Sequence, residues 1–171
     1  MLEKDFDRAR VDFGRLGAAL AQDHEPLLRT YHYNCPPYQS AVATPREREL
    51  VRNADRFYYA LRQLPNLELR LGRLAFRGYS RETGEPILEQ KRVDIQLAVD
   101  LLALSYSRQI ATAIVVAGDS DFIPVFQAAK DQAVRVVLYH GRNNPAHREL
   151  IEAADQPIVF DQDLIDRVRR T

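Results

Sequence analysis

The sequence has one cysteine, Cys35, in 171 residues. That excludes an intrachain disulfide and a zinc cluster of several thiolates. Cys35 reads as a half-buried strand residue. No charge of one sign dominates: lysine plus arginine and aspartate plus glutamate each total 24. A chain-wide basic field for nucleic acid is therefore excluded, but a local basic patch is not. No apolar run approaches the roughly 20 residues that a spanning helix needs. Residues 1–10 are charged throughout and show no signal peptide, so a cytoplasmic protein is the expectation. Neither a glycine-rich loop ending in Gly-Lys-Ser/Thr nor a GxGxxG turn is present, which argues against those phosphate and dinucleotide sites. The four histidines, His24, His32, His140 and His147, are scattered and read as non-ligands.

What is present is an alternation of helical and strand patterns. Residues 2–22 have helical features, with a possible turn at Val11-Asp12-Phe13-Gly14. Residues 27–35 predict the first strand, ended by Pro36-Pro37. Residues 46–64 predict a helix with a stripe of Leu50, Ala54, Phe57, Leu61 and Leu64. Its arginines Arg46, Arg48, Arg52, Arg56 and Arg62 lie mostly off the stripe. Residues 67–77 predict a second strand, and residues 78–86 a polar loop or hairpin. A helix is expected over 91–105 and a strand over 112–117. A helix follows over 122–131, and a nearly continuous apolar strand over 134–139. A short helix (147–154), a short strand (157–160) and a C-terminal helix or tail (163–170) close the chain. Such alternation predicts one α/β domain over residues 1–171: three layers, a mainly parallel sheet with helices on both faces.

The stretch from Ala111 to Phe126 organises this scheme. An apolar strand runs straight into Gly118-Asp119-Ser120-Asp121, and the carboxyl end of a strand is where open α/β sheets build sites. Asp121 can be explained as the cap of the next helix, with Pro124 at a position whose N–H has no intrahelical partner. Asp119 has no such explanation. Two carboxylates held this close repel unless a proton or a cation lies between them, and Mg²⁺ or Mn²⁺ is the hard cation that fits. Ser120 is better placed to donate a hydrogen bond than to act as a nucleophile. Asp94 falls among Leu97, Ala98 and Leu101 on an apolar stripe, so it caps its helix or is buried and paired. Asp100 lies at the border of the same helix, as a supporting acid. Lys91 is placed to pair with Asp94 or to reach a phosphate. Arg70, Arg73, Arg77 and Arg81 make the most basic local stretch, and two or more on one face would bind phosphate.

Two motifs in this set go together. Lys91-Arg92-Val93-Asp94 resembles the K-G-V-D helix motif of the NYN family, in the LabA-like group of the PIN-domain nuclease superfamily, with Arg92 where glycine is usual. Ile114 to Phe122, IVVAGDSDF, resembles the family's strand and S-G-D-S-D-F signature, with Ala117 at the serine. The resemblance covers nearly the whole chain. It implies a ribonuclease dependent on Mg²⁺ or Mn²⁺, with Asp94, Asp119 and Asp121 as catalytic and metal-holding acids converging at the C-terminal edge of a parallel sheet. RNA, expected single-stranded, would be held by Lys91, Arg73, Arg77, Arg81, Ser120 and Arg142. The family opens with a strand ending in F-I-D-G-x-N-L, whose aspartate is a ligand. Here Met1-Leu2-Glu3-Lys4 stands where the residues after that motif would be. The opening strand and its aspartate are therefore expected to be absent, with metal affinity and catalysis weakened and a strand edge left open. That edge makes a homodimer an expectation too.

Two other readings stand beside this one. A non-catalytic RNA- or protein-binding module could use the same fold. A small phosphatase-like enzyme is less well served, since it would want a first-strand aspartate and a lysine after residues 134–139, and neither is seen.

Overall fold

The computed structural model describes residues 6, 9–22, 24, 26–84 and 86–170. The chain divides into two units, residues 1–28 with 98–171, and residues 29–97.

The first unit is built on three parallel strands, β5 (Thr112–Val116), β6 (Arg135–His140) and β7 (Gln156–Val159), in the order β5-β6-β7. Its helices are α1 (Phe13–Leu20), most of α3 (Val93–Tyr106), α4 (Ile123–Asp131), α5 (Arg148–Ala153) and α6 (Gln162–Val168), with a single 3-10 turn at Ser120–Phe122. Successive strand residues point to opposite faces. In β6, Val136, Val137 and Leu138 are all fully buried, so both faces of the sheet are covered and the unit has helix, sheet and helix layers. Phe13, Leu16 and Ala19 of α1 and Leu164, Ile165 and Val168 of α6 pack with Ile114 and Tyr139 of the sheet. The fold class is α/β, as the alternation predicts.

The turn considered at residues 11–14 is real. Asp12 accepts hydrogen bonds from the backbone N–H groups of Gly14 (2.9 Å) and Arg15 (3.0 Å) and starts α1 there. An aspartate in this position satisfies two of the donors that a helix start leaves open. The earlier part of the expected helix, with residues 2–5, 7 and 8, lies outside the described residues, as does the start at Met1 to Lys4.

The second unit holds β1 (Thr30–Asn34), α2 (Pro45–Arg62), β2 (Leu67–Leu71), β3 (Arg73–Tyr79) and β4 (Pro86–Lys91), and the first residues of α3. Strands β1 and β2 pair in parallel, whereas β3 and β4 form an antiparallel hairpin. Here the expectation of one strand over residues 67–77 is corrected. Gly72 breaks it. A Cβ at that position would lie 2.5 Å from the Lys91 carbonyl oxygen, 2.6 Å from Val93 Cγ2 and 3.0 Å from Cys35 Sγ. Backbone approaches that close only where no side chain stands. On either side of Gly72 the chain pairs with different partners, so the strands are mixed in direction and β4 is an additional strand. Cys35 is half-buried, as expected, but follows β1 instead of lying within it.

Helix α2 opens with a capping box between Thr44 and Glu47 and with Pro45 at its start. Its buried face centres on Tyr58 and Leu61, while Leu50 is half exposed. Tyr58, absent from the expected stripe, is anchored by its hydroxyl, which donates to the Cys35 carbonyl at 3.1 Å. The five arginines of α2 are exposed, as their positions off the stripe require. Among the described residues, no helix is long and apolar enough to cross a membrane.

Candidate functional site

In parallel strands all carboxyl ends lie on one edge of the sheet. In the first unit that edge carries the loops after β5, β6 and β7. The loop after β5 holds Gly118, Asp119, Ser120 and Asp121. Asp119 leaves the strand in an extended conformation (φ −88°, ψ 131°) and caps the 3-10 turn, its Oδ1 accepting from the Asp121 N–H at 3.0 Å. This reverses the roles expected for the two acids. Asp119 is the cap, and Asp121 lies inside the turn. A 3-10 turn intervenes between strand and helix, so α4 starts at Ile123, and Phe122 precedes it with no side-chain cap. Both acids are exposed. No hydrogen bond to the Asp121 carboxylate or the Ser120 hydroxyl is found among the described residues, so Ser120 does not orient a carboxylate here.

The neighbouring loop, residues 141–147, is tied to the first one. The His147 N–H donates to the Gly118 carbonyl at 2.9 Å, and a Cβ on Gly118 would touch the Ala146 backbone at 3.9 Å. Arg142 is exposed in that loop. Two further polar residues lie on this edge: His140, read from the sequence as a non-ligand, and Asp161, which was not singled out. His140 ends β6 and donates from Nδ1 to the Gly141 carbonyl at 3.0 Å. Asp161 follows β7 and accepts from the Leu164 N–H at 2.7 Å, capping α6. An aspartate directly after a strand was the available signal, the same one that picked out Asp119.

In the second unit the K-x-V-D motif spans the end of β4 and the start of α3. Arg92, at the junction, has φ 78°, a left-handed conformation that costs a non-glycine residue about 1–2 kcal/mol. This is why a glycine suits the position. Asp94 lies in the first turn of α3, where the helix dipole favours an anion. It is exposed, not buried and paired. Gln96, two residues further along α3, donates to the Leu71 carbonyl at 3.4 Å and leaves its Oε1 buried without a partner among the described residues. Asp100 is half-buried further along α3.

The basic residues Arg73, Arg77, Arg81 and Lys91 share one hairpin. Arg77 lies 2.5 Å from Glu89 and Lys91 also pairs with Glu89. The Lys91 ammonium first, then the Arg77 guanidinium, holds the Glu89 carboxyl below the usual carboxylate range. Lys91 thus pairs with Glu89, not with Asp94. Arg73 and Arg81 are exposed and have no ion pair among the described residues. Arg70 belongs elsewhere: it lies on β2, near Glu68 and 5.4 Å from the Tyr31 ring centre.

The sites divide as the units do. Asp119, Ser120, Asp121 and Arg142 belong to the first, and Asp94, Lys91 and the hairpin arginines to the second. A model of the NYN domain matches residues 4–161. The chain belongs to the NYN domain family. The fold of this NYN domain is also similar to the crystal structure of a Vibrio parahaemolyticus protein of unknown function, VPA0982. The two are 20% identical, with a TM-score of 0.57, over 91% of this chain and 82% of that one. No curated protein matches.

An NYN, PIN-like domain invites the question of whether its acids suit a divalent cation. By type they do: Asp119 and Asp121 offer hard carboxylate oxygens, and the Asp121 carboxylate has no competing hydrogen bond among the described residues. By number the set is thin. Among the described residues, no group of three or more histidine, cysteine, aspartate or glutamate side chains is placed to hold a metal ion.

Proposed function

We propose that this NYN domain is a ribonuclease that hydrolyses RNA phosphodiesters weakly and in a metal-dependent manner. The observation carrying this reading is the pair of exposed carboxylates at the exit of β5, one fixed by the backbone and the other without a partner among the described residues. Asp119 and Asp121 would hold Mg²⁺ or Mn²⁺, and Asp94 and Asp100 of α3 would serve the reaction as the acids of the K-x-V-D helix. A two-carboxylate set leaves most of the cation's ligands as water, hence the weak activity. Bound there, the cation supplies Lewis acidity, lowering the pKa of attacking water and offsetting charge on the leaving oxygen.

The chain's own residues do the rest. The Asp121 N–H fixes the Asp119 carboxylate, so its free oxygen keeps one direction. Arg73, Arg77, Arg81, Lys91 and Arg142 would neutralise phosphates and hold the RNA in register, with the Ser120 hydroxyl as a further donor to the backbone. The K-x-V-D and D-S-D-F motifs support placing the chain in the LabA-like group. Self-association into a homodimer belongs to the same proposal, and light scattering checks it. A labelled single-stranded RNA incubated with Mn²⁺, Mg²⁺ or EDTA tests the activity. Cleavage in either metal and none in EDTA is expected.

The absence of a third acid beside Asp119 and Asp121 among the described residues favours one second reading, a non-catalytic RNA-binding module on the NYN fold. It predicts RNA binding that is indifferent to metal, and no cleavage.

A further inference from the structure

The hairpin of β3 and β4 has two unlike faces. Strand residues alternate between faces, and Arg73 pairs across with Lys91, Ala75 with Glu89, and Phe76 with Leu88. Arg73, Arg77, Glu89 and Lys91 therefore share one face, and Phe76 lies on the other. An irregularity between Phe76 and Tyr79, at Gly78 with φ 120°, changes the alternation. An extra residue of this kind re-aims the side chains beyond it. It brings Tyr79 onto the ring of Phe76, with centroids 5.1 Å apart and an interplanar angle of 70°. Tyr38, from the loop after β1, stacks on Phe76 at 5.7 Å and 16°.

This cluster is not a core. Phe76 is 42% exposed and Tyr79 64%. A hairpin needing only internal packing would not leave its two largest rings open to water, and exposed apolar groups gathered in one place mark binding surfaces. The partner's chemistry follows from what surrounds the rings. Arg73 and Arg81 are cations without ion pairs among the described residues, and Arg81 lies in the turn just past Tyr79. Flat apolar faces with the Arg81 guanidinium just past them in the chain, and Arg73 on the opposite face of the same ribbon, match a ligand with flat apolar rings and phosphates. Bases present their faces only when the strand is single, since a duplex keeps them stacked on each other.

We propose that Tyr79 and Phe76, backed by Tyr38, form a base-stacking subsite for single-stranded RNA, whose phosphates meet Arg81 and Arg73 around the edge of the ribbon. The proposal rests on the RNA-directed reading above but not on catalysis. Glu89 pairs with Arg77 and Lys91 on the opposite face, so the phosphate contacts of this subsite are Arg81, just past the rings, and Arg73, around the edge. Tyr79 is the sharper probe because it is the more exposed ring, whereas Phe76 also holds Tyr38.

The test is fluorescence anisotropy with the whole chain in EDTA. Labelled single-stranded RNA of mixed sequence is compared with the same sequence as a duplex, over a range of salt. Thermal melting of each variant shows that it is folded. Tyr79→Leu should weaken single-strand binding about tenfold with an unchanged salt slope, and Tyr79→Phe, which keeps the ring, should bind like the original. Arg81→Ala should weaken binding and lower the salt slope by about one. Full affinity in Tyr79→Leu, equal affinity for duplex, or no binding by the original chain would each overturn the subsite. Loss of metal-dependent cleavage with this binding intact removes the nuclease reading alone. Cleavage that persists while Tyr79→Leu binds at full affinity removes the subsite alone.

Discussion

The exit of β5 and the junction of β4 with α3 each present an aspartate at the start of a helical turn, yet they are built differently. At the β5 exit the backbone is relaxed and Asp119 is held by the Asp121 N–H. At the β4–α3 junction Arg92 is in a left-handed conformation, and Asp94, in the first turn of α3, has no capping hydrogen bond among the described residues. The first junction spends its carboxylate on local structure. The second carries backbone strain, and its carboxylate makes no comparable contact among the described residues. A motif aspartate is thus not one kind of residue: its hydrogen bonds decide whether removing it costs stability, charge or both.

The largest effect that sharpens this comparison is expected at Gly72, next to the strained junction. Gly72→Ala should destabilise the chain by about 2 kcal/mol, because the new methyl group meets backbone and side-chain atoms with no room to yield. Urea denaturation measures it, and an unchanged midpoint would mean the β2–β3 break is not held by close approach. Arg92→Gly should act in the opposite sense and stabilise by about 1 kcal/mol, relief of the left-handed conformation outweighing glycine's entropy. A loss of stability there would show that the Arg92 side chain contributes more than its backbone costs.

Smaller effects separate the two acids of the β5 exit. Asp119→Ala should cost up to about 1 kcal/mol through the lost cap, and Asp121→Ala almost nothing, since its carboxylate has no partner among the described residues. Equal costs in thermal melts would return the capping role to Asp121.

The smallest expected effect is a pH dependence from His32 of β1. Burial pushes its imidazole below the ordinary range, and Phe57 meets it edge-on at 5.7 Å. The unfolded chain then takes up the proton first, near pH 6.5. Stability is complete above that pH and declines as pH falls through it. His32→Gln should flatten this decline between pH 8 and pH 5.5 in urea melts, and an unaltered slope would assign it to other groups.

The parts of this fold legible in the sequence are those set by neighbours in the chain. Apolar runs marked β5 and β6, Asp12 marked the turn before α1, and the arginines of α2 announced its exposed side. Asp119 and Asp121 at a strand exit were legible because the strand and the acids are contiguous. The break at Gly72 was not, because the groups that forbid a side chain there come from Cys35, Lys91 and Val93, distant in sequence. The exchange of roles between Asp119 and Asp121 escaped for a different reason. A 3-10 turn of three residues leaves no periodicity to read. Leu50 is half exposed and Tyr58 buried, because the Tyr58 hydroxyl bonds the distant Cys35 carbonyl, which the apolar stripe does not show.

The central claim is that the carboxylate charge at the β5 exit supports RNA hydrolysis. Asp119→Asn tests it most directly, because asparagine caps a helical turn about as well as aspartate and so removes charge while keeping the local fold. Cleavage of labelled single-stranded RNA should be followed over time in Mn²⁺, for the original chain and the Asp119→Asn variant, with EDTA as control. The account predicts slow cleavage by the original chain, none in EDTA and none by a variant that melts at the same temperature. Cleavage that survives the substitution, or that persists in EDTA, would contradict it.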